Sequence, residues 1–495
     1  MSAQTLQTDD VIGSTATGLT EKIQAGAITA TEAVTAFLER IADVNPTVNA
    51  LLDVQPDRAM AEASRIDKLE PAQRRRMPLA GLPVAVKDLI PAAGFRHTQG
   101  SSIFADRIAS HDHAVVERMK HAGAIVVAKS NTPEFGLGSH TFNEVTGLTR
   151  NPYGLNHSAG GSSGGAAAAL AARMIPIADG SDTGGSLRNP ASFCNIVGLR
   201  PSLGTVPNSP NGYAYGSLSV KGPMAKTVRD AAHLLRAISG FSSDDPFSFA
   251  ADTAGLEEVV DSKFGSRLGA SQISAAYTLD FSGMFPVDEE VRRVTEEAID
   301  QLRSDDFRIT NTHPNLPFAK EAFRTLRGLQ MLATLGPLTD EHKGEMKDDA
   351  LWNVEVGRQV TGEEASSALR GQAQSWSSMA DFLQNYDVLI TPTVQVPPFA
   401  AEMRYPRTVN GETMSDYLEW MTLPSIITTT NHPAVSVPVG FTDSGLPVGI
   451  QIIGRFRNEG RLLEIAKRIE DRIGSWAVAP TFDSTVQADR FPHIS

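Results

Sequence analysis

Two glycine-flanked serine clusters and one lysine inside an apolar run carry the most chemistry in this sequence. Ser162 and Ser163 stand between Gly160-Gly161 and Gly164-Gly165, Ser186 follows Thr183-Gly184-Gly185, and Lys87 lies in GLPVAVKDLI, residues 81–90. A serine hydroxyl attacks a carbonyl once a base takes its proton. The question is which serine has such a base.

A phosphate-binding loop needs Gly-Lys-Ser or Gly-Lys-Thr, which the chain lacks. A flexible linker needs a longer run than six residues leading straight into AAAALAA. The nucleophile elbow GxSxG is matched twice, at Gly160-x-Ser162-x-Gly164 and Gly161-x-Ser163-x-Gly165. That motif requires a strand before the serine and a histidine base. The preceding TRNPYGLNHSA is polar and broken by Pro152 and Gly154, and none of the eleven histidines has a diagnostic setting. His111-x-His113, in the polar ASHDHA, reads as solvated loop.

The second cluster has better geometry. A strand at 174–178 runs into a turn where Gly184 and Gly185 let the backbone approach a reacting carbonyl. The N–H groups of Thr183, Gly184, Gly185 and Ser186 are then candidates for an oxyanion hole. Without a histidine, the base left is a neutral lysine, whose reference pKa of about 10.4 must fall by roughly three units. Burial does this by disfavouring the charged form. Lys87 sits in apolar surroundings, with Asp88 expected on the opposite face of the strand. Lys129, in IVVAKSN, is the competitor; its place at a strand end suggests that it reaches out to water.

The elements that must position these groups alternate. Short apolar runs at 79–90, 123–131 and 173–182 are separated by helical patterns at 113–122 and 164–172, which predicts an α/β fold with a largely buried mixed sheet. Residues 1–70 form an N-terminal helical segment, with a Thr29-x-x-Glu32 capping box; residues 71–240 form the core. Residues 224–238 read as an amphipathic helix, and 241–385 as an inserted or peripheral helical region. Residues 386–495 complete the same α/β domain, with a hairpin through Asp443-Ser444-Gly445 and a closing helix from Glu459.

Composition narrows the function. The 495 residues are 41% apolar and 20% charged, with a net charge of −13 that disfavours nucleic acid and anionic lipid. Cys194 is the single cysteine, so neither an intrachain disulfide nor a cysteine-rich zinc site is expected. No stretch approaches the roughly 18 apolar residues of a membrane span. These features predict a cytoplasmic enzyme, monomer or homodimer, with no cofactor and no metal.

The segments GLPVAVKDLI, AKSNTPEFGLGS, AGGSSGGAAAALAA, GSDTGGSLRNPASFCNIVGLRPS, GPMAKTVRDAA and HPAVSVPVGFTDSGLPVGIQIIG resemble the amidase signature family. The resemblance covers residues 79–235 and 386–470. It implies a large mixed central sheet covered by helices, and hydrolysis of small amides, with aryl or acyl amides or carbamates in reach, to acid plus amine or ammonia. It implies Ser186 as the nucleophile of an acyl-enzyme, Ser162 as a bridging serine preceded by a cis peptide bond, and Lys87 as the base. Ser163, Asp182 and Arg188 become supporting residues; Asp182 and Arg188 hold the nucleophile turn, unless Arg188 touches substrate. Cys194 is structural on this reading. Asn195 stands where family members commonly have Gly, and asparagine tolerates the left-handed conformation. The resemblance gives the region 241–385 a substrate-pocket-forming role and places the pocket between loop 203–216 and the helical stretch 323–336, favouring an apolar acyl or aryl group. An alternative is the glutaminase subunit of a tRNA-dependent amidotransferase, whose usual Ser-Leu-Asp-Gln before Gly-Pro is replaced here by GSLSVKGP.

Overall fold

The computed structural model describes residues 8–208, 213–261, 272–483 and 489–494. Among these described residues, fifteen strands follow in chain order. The first eight are β1 (Leu51–Leu52), β2 (Pro83–Lys87), β3 (Ile125–Ser130), β4 (Arg150–Asn151), β5 (Gly154–Ser158), β6 (Ile177–Asp182), β7 (Val197–Arg200) and β8 (Val220–Ala225). The rest are β9 (Ile273–Tyr277), β10 (Phe307–Asn311), β11 (Val388–Pro392), β12 (Thr408–Val409), β13 (Glu412–Thr413), β14 (Ala434–Phe441) and β15 (Pro447–Ile453). Eleven of them make one mixed sheet in the order β1-β3-β2-β6-β8-β7-β14-β15-β11-β9-β10, while β4-β5 and β12-β13 pair separately.

Strands β2, β3 and β6 are buried along their whole length. Such strands lose the period-two polar face, and β2 and β3 read as nearly continuous apolar runs, whereas β6 buries Asp179, Ser181 and Asp182. Helices cover the sheet. The helix Ala30–Val48 starts where Thr29 Oγ1 accepts from the Glu32 N–H and the Glu32 carboxylate accepts from the Thr29 N–H, completing the expected box. The helix Gly164–Ala171 is buried throughout, and its glycines and alanines let it lie close against the sheet and the β3 loop. None of the described helices is long and apolar enough to cross a membrane.

The structure departs from the sequence reading in four places. The strand expected at 174–178 runs from Ile177 to Asp182, so Asp179 to Asp182 are strand and not turn. The stretch 241–385 is not wholly helical, because β9 and β10 from it extend the sheet beyond β11. The helix expected at 224–238 starts at Val228, and its first residues belong to β8, which lies between β6 and β7. Leu51 and Leu52, within the helical N-terminal segment, pair with β3 at the sheet edge. Asp443 to Gly445 does connect an antiparallel pair, β14 and β15.

One consequence positions the site. β2 and β6 are parallel neighbours, and Lys87 and Asp182 are the last residues of those strands. In open α/β sheets ligands bind beyond the carboxyl ends of the parallel strands.

Candidate active site

Lys87 brings the serine cluster together. Its side chain is fully buried, and Nζ lies 2.7 Å from Ser162 Oγ, 2.9 Å from Ser163 Oγ and 3.0 Å from Ser181 Oγ. The Ser163 hydroxyl lies within 3.4 Å of the Ser181 carbonyl. With its proton directed there, it meets Lys87 as an acceptor. A neutral amine has two hydrogens and one lone pair, which matches donation to Ser163 and Ser181 and acceptance from Ser162. Burial, then the charge of Lys221, push the Lys87 amine well below the ordinary lysine range, against the opposing pull of Asp179 and Asp182. Asp179 also accepts the Lys87 backbone N–H at 3.1 Å, and burial pushes its own carboxyl up to about 6.

The Ser162 peptide is fixed from outside. The Gly161–Ser162 bond is cis, Ser139 Oγ donates to the Gly161 carbonyl at 2.9 Å, and Thr141 Oγ1 donates to the Gly160 carbonyl at 2.8 Å. Asn189 Nδ2 in turn donates to Ser139 Oγ at 3.0 Å. A Cβ on Gly161 would meet the Ser139 carbonyl carbon at 2.8 Å and the His140 nitrogen at 2.9 Å, so glycine is needed there for close approach.

The Ser186 turn is anchored to the same place, since the Ser163 N–H donates to the Ser186 carbonyl at 3.2 Å. The Ser186 hydroxyl has no hydrogen-bond partner among the described residues. Asp182 shapes the turn. Its carboxylate accepts from the Gly185 N–H at 2.8 Å, the Leu187 N–H at 3.2 Å and both Nε and Nη2 of Arg188 at 3.0 Å. Burial raises the Asp182 pKa, but Arg188 and Arg200 outweigh it and hold the group below the usual carboxylate range. The Gly185 N–H is thus committed to Asp182, which removes it from the expected oxyanion hole. Thr183, Gly184 and Ser186 keep N–H groups without a partner among the described residues. Gly185 adopts φ of 120°, a region that glycine enters freely.

Other expectations are corrected. Arg188 is fully buried, and its remaining donors go to Gln451 Oε1 at 2.8 Å and Thr428 Oγ1 at 2.9 Å, so it does not reach a substrate. Lys129 does not reach water; it is fully buried, 3.2 Å from Asp88 Oδ1 and 2.8 Å from the Ile90 carbonyl. Asp88, turned away from the Lys87 amine, is its counter-ion. His113 is a buried helix cap whose Nδ1 accepts from the Val115 N–H, not solvated loop. Cys194 is buried, with its thiol 3.5 Å from the Ala159 carbonyl. Asn195 has φ of 53°, and its amide donates to Tyr153 Oη and the Ser475 carbonyl.

A cavity of about 370 Å³ opens above Ser162, Ser181 and Thr183. Leu89, Phe104 and Phe135 form one wall, and Met331, Leu335 and Leu338, on the helix Ala319–His342, form the other. That helix is tied down where Gln330 Nε2 donates to Ser219 Oγ at 3.0 Å. The stretch 323–336 lines this cavity through Arg327, Gln330, Met331, Thr334 and Leu335. The described residues of loop 203–216 line a separate, smaller cavity with Asp245 and Phe247 instead, and residues 209–212 lie outside the described residues.

Ser181 and Lys221 were missed by motif reasoning. Alternation along DGSD puts Ser181 on the face of Asp179, and Lys221 is the direct antiparallel partner of Ser181. Recognising β8 as a strand would have found both. Lys221 lines the cavity, and burial pushes its amine down to about 8.

Comparison with known proteins agrees with this architecture. The family described as Amidase matches residues 32–463. An acylamidase of Rhodococcus erythropolis is 31% identical over 478 residues, covering 96% of this chain and 98% of its own. A glutamyl-tRNA(Gln) amidotransferase subunit of Thermosynechococcus vestitus is 34% identical over 468 residues, covering 89% and 94%. The crystal structure of a bacterial aryl acylamidase superposes with a TM-score of 0.85 at 25% identity, covering 94% of this chain and 97% of that one. From its signature segments to its eleven-stranded sheet, the chain belongs to the amidase signature family, whose members are hydrolases of carbon–nitrogen bonds.

Proposed function

We propose that this protein hydrolyses small amides, including aryl or acyl amides and carbamates, to an acid and an amine or ammonia through an acyl-enzyme on Ser186. The observation that carries the reading is the buried Lys87 amine 2.7 Å from Ser162 Oγ at the floor of the cavity. Neutral Lys87 accepts the Ser162 proton, Ser162 accepts the Ser186 proton, and Ser186 Oγ bonds to the substrate carbonyl carbon. The N–H groups of Thr183, Gly184 and Ser186 receive the oxyanion. Collapse breaks the C–N bond while the relay returns its proton to the leaving nitrogen, and water then hydrolyses the ester by the same steps. Ser163, Asp182 and Arg188 position these groups.

Similarity to an acylamidase and to glutamyl-tRNA(Gln) amidotransferase subunits supports amide chemistry under either reading, free amidase or amidotransferase subunit. The cavity lining favours the free amidase. No Asp or Glu is among the described residues lining it, so a glutamine substrate would find no carboxylate there for its α-ammonium. A hydrolysis panel of aliphatic amides, anilides, carbamates, amino-acid amides and glutamine tests the reading. Turnover of several amides without a partner is expected; turnover of glutamine alone, and only with a partner, overturns it. Fluorophosphonate labelling should map to Ser186.

A further inference from the structure

Three cations line the cavity, and none has an acidic partner within ion-pair distance among the described residues. Arg107 lies with its guanidinium over the Phe104 ring, 3.9 Å from the centroid, and donates Nε to the His97 carbonyl. Arg327 donates to Asn353 Oδ1 and Tyr417 Oη, both at 3.0 Å. The Lys221 side chain makes no hydrogen bond or ion pair among the described residues, although Lys221 is only 9% exposed. This is unusual, because buried charges are as a rule paired. Within the same sheet Lys129 has Asp88 at 3.2 Å, and Arg188 and Arg200 share Asp182, whereas Asp179, the carboxylate that acts on Lys221, stays beyond ion-pair distance.

Lys221 is also placed next to the chemistry. It stands opposite Ser181 in the β6–β8 pair, on the same face of the sheet, where opposed Cβ atoms lie about 4.5–5.5 Å apart. Ser181 Oγ in turn contacts the Lys87 amine. Lys221 and Ser162 line the same cavity, so a group held by Lys221 shares that space with a carbonyl placed over Ser162. Resting on the amidase reading, we infer that Lys221 is a substrate-binding residue that receives a carboxylate carried by the amide, so that the preferred substrates are half-amides of dicarboxylic acids or similar anionic amides. The apolar walls then hold the spacer between carboxylate and amide. A zwitterion fits less well, since no described lining residue is acidic.

The test pairs acids with neutral amides of matched length: succinamate with butanamide, glutaramate with pentanamide, and 4-carboxybenzamide with benzamide. The wild-type protein should favour the acid in at least one pair, and Lys221→Met should lower that acid-to-neutral ratio of kcat/KM at least ten-fold, with Lys221→Arg restoring part of it. Preference for the neutral member in every pair, or a ratio unchanged by Lys221→Met, overturns the inference; a purely electrostatic effect on Lys87 would move both members alike. Calorimetric binding of the three acids to Ser186→Ala separates this from the amidase reading. Binding of one of them that Lys221→Met weakens at least ten-fold supports the inference even without turnover, and no binding by any acid refutes it. Circular dichroism confirms folding, with Lys221→Gln as a second variant.

Discussion

The Lys87 amine acts as a base only when neutral, and burial is the main cause that shifts it towards that form. Activity on a neutral amide should therefore rise with pH through the folded-state pKa of Lys87. Removing the neighbouring positive charge favours protonated Lys87, so Lys221→Met should move this acidic limb to higher pH, a shift read from kcat/KM against pH. The same depressed pKa has a stability consequence. The unfolded chain binds the Lys87 proton more tightly, so this group costs stability below its folded pKa, and the cost fades as pH rises towards about 10.4. Lys87→Ala should lower kcat about 100- to 10,000-fold, the range of a lost general base, with the fold retained. Asp182 behaves in the opposite sense. Arg188 and Arg200 depend on its charge, and removing one partner of a buried ion cluster costs about 3–5 kcal/mol. Asp182→Asn should lower the urea midpoint accordingly, and an unchanged midpoint would show that the arginines have another counter-charge.

At the scale of elements, two backbone segments are locked against each other. The stretch 139–141 donates two hydroxyls to the carbonyls of Gly160 and Gly161 and leaves no space for a side chain at Gly161. Gly161→Ala forces one backbone away from the other, an overpacking cost of about 1–3 kcal/mol. Its larger effect should fall on kcat, because Ser162 moves relative to Lys87; a variant with lowered thermal midpoint and normal kcat would argue against this coupling. β2, which carries Lys87, was legible because it sits inside the sheet and reads as an apolar run bounded by turn residues; β6 was caught only at Ile177 and Ala178, because its remaining residues, Asp179 to Asp182, read as a turn. β8 was missed, and Pro223 explains why. Proline argues against a central strand, yet Pro223 is tolerated because the β7 ladder on β8 reaches only Met224 and Ala225. Missing β8 hid Lys221 and the convergence on Ser181. β9 and β10 were hidden by the strongly helical sequence around them.

At the scale of the whole molecule, the sheet order makes the chain interdependent. β9 pairs with β11 on one side and β10 on the other, so a segment from residues 241–385 forms one sheet edge while the helix Ala319–His342 from the same segment walls the cavity. The sheet also joins β1, at residue 51, to β15, at residue 453. Removing 241–385 would strip β11 of its parallel neighbour and open its edge, and unpaired edges promote association between chains. We therefore expect the chain lacking 241–385 to aggregate, not to survive as a smaller amidase. In the intact protein the same continuity predicts a single unfolding transition by calorimetry, coincident with loss of amide hydrolysis. Two separated transitions, with the middle segment melting first and the sheet signal persisting, would show that β9 and β10 are an attached module and not part of the cooperative core.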